Sequence, residues 1–382
     1  MSYESVDQLQ KVLAEEIFQG RESAKKAAGR ALGTLVEIIA FYLLKTWGFE
    51  TSLSIEKALA EHGNSEITHN VEYALHPILR RDTLALPTAK GSLTARRIFT
   101  ELKKNAISCE GFQSTSNILR TQGGILRNAC AIGRGKNSSL LALLIAPDIS
   151  EAPQLVIVEQ HNAPYAIVEC KRVGIEEGQR RGPQTIEKAK QGAYVAKAVS
   201  SLHKLRAPDG KLHGIVFLPD GTLYSKPYDE LIAEIVASES PQLLRHFVLT
   251  IGVVSNHGNW FTVEKHNKEL KVLAQSYDWL LFLTDRGLSD FITELLRNPA
   301  LEMEPVRTAF LASYATGSKA NEFTKVQMRY EADKALTLYF NQNRERIEGW
   351  FNIITPKGVT GEELQRQLLL LSRKDWRTVH NK

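Results

Sequence analysis

The stretch PYAIVECKRVG, residues 164–174, decides the fold of this 382-residue chain. Its first half is apolar and rich in β-forming residues, which predicts a buried strand. Because alternate residues of a strand share a face, Glu169 and Lys171 point together while Cys170 points away. The carboxylate can ligate a divalent cation, and the ammonium can stabilise charge that develops on a phosphate. Taken alone, the pair is far more typical of a weak, exposed ion pair at a hairpin edge.

The sequence around this strand predicts further strands and helices. Apolar runs bounded by turn residues predict strands at 139–146, 155–160, 165–171, 212–218, 244–254 and 279–283. The turn at 161–164 predicts that the second and third of these strands form a hairpin. Helical patterns cover 6–47 and 183–206, short helical patterns and turns fill 51–110, and 110–139 is predicted to be irregular or short-stranded. This order favours an α/β sandwich.

Length and composition describe an ordinary globular protein. Hydrophobic residues make up 43% and charged residues 24%, and the net charge of +5 is too small to indicate a polyanionic partner by itself. We expect two parts, a domain at 1–296 and a helical C-terminal region at 297–382. The start lacks a basic and apolar leader, and the apolar run 35–44 is about half a membrane span, so no membrane partner is expected. Three cysteines without metal-ligand spacing favour reduced thiols in a cytoplasm.

Basic residues concentrate after the Glu169–Lys171 pair. Between residues 169 and 206 there are nine Lys or Arg against four Glu, and two arginines stand beside a predicted helix N-terminus, a natural phosphate site. The side chains that we expect to face DNA here are Arg172, Arg180, Arg181, Lys188, Lys190 and Gln191. A glycine-rich segment adds Arg134, Lys136 and Asn137, residue types that can contact base edges. A solvated helix face and a plain basic loop are the alternatives.

The block 164–174, together with 182–194, resembles the active-site region of the PD-(D/E)XK nuclease superfamily and is similar to type II restriction endonucleases. The resemblance covers about residues 137–220 and the helix that carries Glu37. It implies a PD-(D/E)XK restriction-endonuclease-like core, a mixed sheet flanked by helices, with additional helical N- and C-terminal parts. It also implies Mg²⁺-dependent, sequence-specific hydrolysis of double-stranded DNA in a prokaryotic cytoplasm, by a homodimer without a nucleotide cofactor. Glu169 would ligate the metal, and Lys171 would be the catalytic lysine.

The resemblance requires a further acid before Glu169 on a neighbouring strand, and three positions compete for it. Asp148, which follows an apolar run and a proline, would complete the metal site with Glu169, and Glu159 ends the preceding predicted strand. Ala142 stands where an acid would suit such a nuclease, which would make the chain an inactivated variant, although a small core residue fits there too. Glu37 lies in a helix that is apolar on nearly every side, so it is expected either to serve the metal site or to pair with a buried Lys or Arg.

Two other functions fit the same residues. A repair or recombination nuclease of the same fold would act on branched or broken DNA instead of a short duplex sequence. A DNA-binding module without catalysis would result if the essential acid is missing at Ala142. Such a module would bind DNA with a steep salt dependence and cut nothing at any magnesium concentration.

Overall fold

The computed structural model describes residues 11, 13–17, 24–87, 91–145, 152–174, 192–218, 220–257, 268–314 and 321–380. The α-helices are α1 Ala24–Thr46, α2 Ala95–Lys104, α3 192–198, α4 Tyr228–Ala237, α5 Pro241–Leu244, α6 Lys268–Ser276, α7 Asp285–Ile292, α8 Glu304–Tyr314, α9 Tyr330–Gln342, α10 Arg344–Glu348, α11 Gly361–Ser372 and α12 Trp376–His380. The strands are β1 Leu53–Glu61, β2 Asn64–Leu75, β3 Ile78–Ala85, β4 Leu93–Thr94, β5 Gln113–Ser114, β6 Ile118–Arg120, β7 Ile125–Arg127, β8 Cys130–Arg134, β9 Ser138–Ile145, β10 Gln154–His161, β11 Ala166–Gly174, β12 Leu202–Arg206, β13 Leu212–Phe217, β14 Leu223–Pro227, β15 Leu249–His257, β16 Trp279–Leu283, β17 Gln327–Arg329 and β18 Phe351–Thr355.

A six-stranded mixed sheet in the order β1-β2-β11-β15-β16-β18 forms the centre of the molecule. The pairs β1–β2, β2–β11 and β16–β18 are antiparallel, whereas β11–β15 and β15–β16 are parallel. Strand β11 is apolar on both faces, as expected for a strand covered on both sides. Its Val168 belongs to the core that contains α1, and its Ile167 packs in a cluster with Val195 of α3. The chain is therefore an α/β protein with a mixed sheet flanked by helices.

Helix α1 is the central helix of the largest core. It is apolar on nearly every side, and its buried residues share one hydrophobic cluster with β11, β15, β16 and the C-terminal helices. Gly48, which comes just after the helix, has a φ of +89°, a left-handed conformation in which glycine ends helices without strain. By length and composition α1 could cross a membrane, but most of its residues are buried inside the protein, as in a core helix of a soluble protein.

A second sheet, in the order β3-β10-β9-β8-β5, is formed by the segment of the chain that lies between β2 and β11 in sequence. We call it the inserted sheet. It has its own hydrophobic cluster, into which α2 packs Ile98, Phe99 and Leu102. A small sheet, β17-β7-β6-β4, joins this unit to the C-terminal part of the chain, and the sheet β12-β13-β14 packs near α4. Residues after 297 contribute β18 to the central sheet and helices to its core, so the predicted boundary does not coincide with a separate core.

The predicted strands at 139–146, 155–160, 212–218 and 279–283 are confirmed as β9, β10, β13 and β16, and the short strands in 110–139 are confirmed as well. The predicted hairpin at 161–164 is wrong, because β10 pairs with β3 and β9 while β11 pairs with β2 and β15. The second predicted helix is present at 192–198, but its predicted end at 206 is wrong, because β12 begins at Leu202. Residues 51–110, predicted as helical patterns and turns, contain the long strands β1, β2 and β3.

Candidate functional site

Three glutamates on neighbouring strands of the central sheet lie in one row. In the β1–β2 register Ile55 pairs with Tyr73 and Lys57 with Val71, so Glu56 comes opposite Glu72. The β2–β11 register ends with the pair Val168–Tyr73, and Glu169 and Glu72 are the residues directly next to that pair. The backbone N–H of Glu72 donates a hydrogen bond to Oε1 of Glu169 at 3.2 Å. Strand pairing therefore brings together acids that are far apart in the sequence.

The Glu169–Lys171 pair lies at the point where β11 leaves the hydrophobic core. Nζ of Lys171 is 3.1 Å from Oε2 of Glu169, and the Glu169 side chain is 3% exposed against 29% for Lys171. Burial raises the pKa of Glu169, and the nearby ammonium of Lys171 opposes that rise. The pair is thus not an exposed ion pair at a hairpin edge. One partner is buried, and the other reaches towards solvent.

Close packing of α3 confines the Lys171 side chain. A Cβ atom on Gly192 would lie 3.0 Å from Cε of Lys171 and 2.7 Å from the hydroxyl of Tyr277, so only glycine fits at this place without a shift. Tyr277 is buried, and its hydroxyl has no hydrogen-bond partner within the part of the chain that the structure describes. Burial and the charge of Glu169 raise the pKa of Tyr277 well above its usual value, so it stays a neutral donor. The hydroxyl is a free polar group beside the Glu169–Lys171 pair.

The ammonium of Lys325 lies among three carboxylates next to this pair. It forms ion pairs with Glu37 at 3.4 Å, with Glu56 at 3.2 Å and with Glu72. The Lys325 side chain is 10% exposed. Burial raises the pKa of Glu37, and Lys325 opposes that rise. Of the two expectations for Glu37, the pair with a buried lysine is the one observed, and this pair lies beside Glu72.

The four glutamates offer oxygen ligands of the kind that Mg²⁺ prefers. No group of three or more His, Cys, Asp or Glu side chains in the described ranges is arranged to hold a metal ion as it stands. The reason is visible at Lys325, whose ammonium lies between the carboxylates of Glu37, Glu56 and Glu72. With four carboxylates and the ammoniums of Lys171 and Lys325 all ionised, the cluster has a net charge of −2, which one divalent cation would neutralise. In charge and donor chemistry, the residues fit such an ion.

A groove of about 1300 Å³ runs between edge strand β1 and the inserted sheet, and it reaches the acid cluster at Glu56. Its cationic or titratable basic side chains are Lys57, His62, Arg127, Arg134, Arg245 and His246. Its amide side chains are Asn64, Asn70, Asn117 and Asn162. Only two carboxylates, Glu56 and Glu61, are among its lining residues. Burial lowers the pKa of Lys57 to about 8, so a bound anion would favour its charged form. The groove thus presents cations and amides to an anionic ligand.

The structure separates some predicted site residues from this cluster. Ala142 and Glu159 lie in the inserted sheet, where Ala142 pairs with Ile157 and Glu159 pairs with Leu140. Glu159 accepts a hydrogen bond from Ser138 at 2.9 Å and lies 3.5 Å from Arg80, so neither position is brought to Glu169. The physical reason is that β10 and β11 belong to different sheets, so closeness in sequence does not become closeness in space.

Other predicted residues fall outside what can be placed. Those outside the described residues are Asp148, Arg180, Arg181, Lys188, Lys190 and Gln191, and of Arg172 only the backbone is described. Arg134 lines the groove, and Lys136 and Asn137 are exposed on the turn beside it. Comparison of the chain with protein-family models, curated proteins and solved structures gave no significant match. The function of this chain must therefore be inferred from its own geometry.

Glu56, Glu72, Tyr277 and Lys325 are site residues that sequence reasoning missed. Glu72 had a signal, since Val71, Tyr73 and Leu75 alternate with polar or small residues, the period of a strand with one buried face. Glu56 can be placed once β1 and β2 are recognised as paired strands. Lys325 and Tyr277 have no local signal, because only the tertiary fold brings them to the acids.

Proposed function

We propose that this chain is a Mg²⁺-dependent endonuclease of the PD-(D/E)XK type that hydrolyses phosphodiester bonds of double-stranded DNA, in the manner of a type II restriction endonuclease. One observation carries the proposal. The backbone N–H of Glu72, a buried residue of β2, donates a hydrogen bond to Oε1 of the buried Glu169 of β11 at 3.2 Å, and Glu169 in turn pairs with Lys171 at 3.1 Å. Glu72 would be the further acid that the Glu169–Lys171 pair requires, on a neighbouring strand that precedes it.

The surroundings of the pair support the same proposal. Helix α1 brings Glu37 to the cluster, as expected of an N-terminal helix that lends a glutamate to such a site. The sheet is mixed and has helices α1 and α3 on opposite faces, in agreement with the expected core. The inactivated-variant alternative depended on a missing acid at Ala142. Our proposal takes Glu72 as that acid instead, so it needs no acid at Ala142.

Each residue has a distinct task in the proposed reaction. Glu72 and Glu169 would hold the cation, which when bound lowers the pKa of a water ligand and stabilises charge on the phosphate. Lys171, fixed by Glu169 and by close packing at Gly192, would donate to the scissile phosphate oxygens as they gain charge. Burial of Glu169 disfavours its charged form, so binding a cation there would release any proton that it carries.

We propose the groove between β1 and the inserted sheet as the surface that binds DNA. Its arginines and Lys57 can contact phosphates, and its asparagines can accept from and donate to base edges. Because the groove opens onto Glu56, a duplex bound there would lie beside the acid cluster. Binding should weaken steeply with salt, since each neutralised phosphate releases counterions.

Cleavage of plasmid and phage DNA with Mg²⁺, resolved on gels, tests the proposal. We expect a reduction of the cleavage rate by about a hundredfold or more in each of Glu72→Gln, Glu169→Gln and Lys171→Met. The first two variants lack a proposed metal ligand, and the third lacks the positive charge that would stabilise the phosphate. The matched control is Glu159→Gln, a glutamate on the inserted sheet with the same substitution, which should cut at the wild-type rate. Chelation of the metal should stop cleavage by the wild type.

Each pattern of products has a meaning. Discrete bands from wild-type protein support a sequence-specific enzyme, whereas cleavage confined to branched or broken DNA would indicate a repair or recombination nuclease. Loss of activity in Glu159→Gln, with activity retained in Glu72→Gln, would refute the assignment of the acid. Wild-type protein that binds DNA yet cuts none at any Mg²⁺ concentration would refute the nuclease proposal.

A further inference from the structure

Backbone hydrogen bonds fix the turn that carries Lys325, whose side chain lies in the acid cluster. It lies in a turn where the N–H of Thr324 donates to the carbonyl of Gln327 at 2.9 Å. The side-chain amide of Asn128 donates to the carbonyl of Lys325 at 3.0 Å, and the backbone N–H of Asn128 donates to the carbonyl of Val326 at 2.9 Å. Strand β17, which begins directly after this turn, pairs with β7. The turn is thus fixed to the sheet β17-β7-β6-β4, from which the lysine reaches the central sheet.

The partners of Lys325 overlap with the proposed metal ligands. Its ammonium contacts Glu72, which also contacts Glu169 through its backbone, and it contacts Glu37 on α1 at 3.4 Å. An ammonium beside a carboxylate repels a second cation and competes with it for the carboxylate charge. Lys325 and a divalent ion therefore compete for Glu72, which would hold the ion, and for Glu37 beside it.

From this arrangement we propose that Lys325 is a tethered cation that occupies part of the metal site and competes with the divalent ion for Glu72 and Glu37. The inference rests on the proposed metal site but not on its nuclease activity. Lys325 is a positioning residue here, because it acts through the carboxylates and not on the phosphate. It keeps the acids of α1, β1 and β2 together without a metal, and it sets how much free cation the site needs.

The charge balance gives the direction and the size of the effect. With Lys325 in place the ionised cluster has a charge of −2, and without it the charge is −3, so a neutral side chain should strengthen attraction for a divalent cation. Lys325→Met keeps the length and the apolar stem of the side chain but removes the ammonium. We expect it to bind Mn²⁺ about tenfold more tightly or better, as an order of magnitude for a partly buried unit charge a few ångströms away.

The test is a titration of the full-length protein with Mn²⁺, with free Mn²⁺ followed by its electron paramagnetic resonance signal, so that no activity is needed. Lys325→Met should show the tighter Kd, and Lys325→Arg, which keeps the charge, should bind no more tightly than wild type. Lys334→Met is the matched control, since Lys334 is an exposed lysine on α9 that packs over the Tyr330 ring outside the cluster. It should bind as the wild type does.

Unchanged or weaker Mn²⁺ binding by folded Lys325→Met would overturn the inference. If that variant fails to fold, Lys325→Gln, which also removes the charge, takes its place: tighter Mn²⁺ binding would support competition, and unchanged or weaker binding would overturn it. The outcomes separate this inference from the nuclease proposal. Tighter Mn²⁺ binding by Lys325→Met in a protein that never cuts DNA would support the tethered cation and refute the enzyme. Mg²⁺-dependent cutting by the wild type, with no change in Mn²⁺ affinity in Lys325→Met, would support the enzyme and refute the tethered cation.

Discussion

Replacing Ala142 by aspartate distinguishes a site completed by Glu72 from one that lacks its acid. If position 142 were the missing metal ligand, Ala142→Asp would restore cleavage. The structure places Ala142 at 1% exposure between Cys130 on β8 and Ile157 on β10, inside the apolar cluster of the inserted sheet. We therefore expect Ala142→Asp to destabilise the fold and to add no activity.

The neighbouring thiol gives the size of the effect. Burial raises the pKa of Cys130, the strand partner of Ala142, from 9.0 to about 12. A comparable rise of about 3 units would move the new carboxyl from an unfolded-state pKa of about 3.9 to about 7. At about 1.4 kcal/mol per unit, the folded state would lose about 4 kcal/mol relative to the unfolded state at pH 7. Native stabilities are about 5–15 kcal/mol, so the loss is large but measurable.

Urea unfolding of Ala142→Asp and of its uncharged counterpart Ala142→Asn, at several pH values, measures this loss. Because the folded-state pKa is raised, the penalty builds up above the unfolded pKa and disappears as pH falls below about 3, where the carboxyl is protonated in both states. The difference between the two variants should therefore shrink from about 4 kcal/mol at pH 7 towards zero near pH 3. A stable Ala142→Asp protein that cuts DNA when the wild type does not would refute the reasoning.

A half-buried histidine and a buried aspartate outside the acid cluster lead to predictions about stability. Burial lowers the pKa of His380, stacked 4.1 Å from His161, to about 4, so the folded state holds a neutral ring. Below about pH 6.5 the unfolded state gains a proton on this ring and the folded state does not, so stability is lost as pH falls towards 4. Between these pH values Tm should therefore fall less in His380→Phe than in wild type. Parallel curves of Tm against pH for the two proteins would contradict this prediction. Asp278 is buried and accepts hydrogen bonds from the N–H and hydroxyl of Thr250 at 2.7 and 2.9 Å, and the ammonium of Lys204 lies nearby. Asp278→Ala should therefore lower the free energy of unfolding by about 3–5 kcal/mol in urea titrations, and a loss below about 1 kcal/mol would contradict this prediction.

Local sequence patterns predicted the parts of the fold that depend on local periodicity. The strand that ends in Glu169 and Lys171 is such a case, because alternation and apolar content are properties of a few neighbouring residues. The same holds for β9, β13 and β16, and for the long apolar helix α1. The pairing of those strands is not a local property. The prediction of a hairpin at 161–164 was wrong because β11 pairs on both sides with strands that are distant in sequence, β2 and β15.

Glu72, which we propose as the further acid, was not found in the sequence for the same reason. Glu72 and Glu169 are 97 positions apart, and the whole inserted sheet lies between them in the chain. A search confined to the residues just before Glu169 could reach only the inserted sheet, where Glu159 and Ala142 lie. The alternating pattern around Tyr73 was the one local clue to Glu72, and it becomes decisive only when β2 is paired with β11.

The acid cluster is better explained by function than by stability. Buried ion pairs are often no more stable than apolar residues of the same size, and like charges held together work against folding. Here the chain also keeps Glu56 at a φ of +50°, a left-handed conformation that costs a residue other than glycine about 1–3 kcal/mol. Strain and like charge are concentrated at the place where α1, β1, β2, β11 and the Lys325 turn meet. We propose that this excess of negative charge serves to bind a divalent cation, for which a structural core has no need.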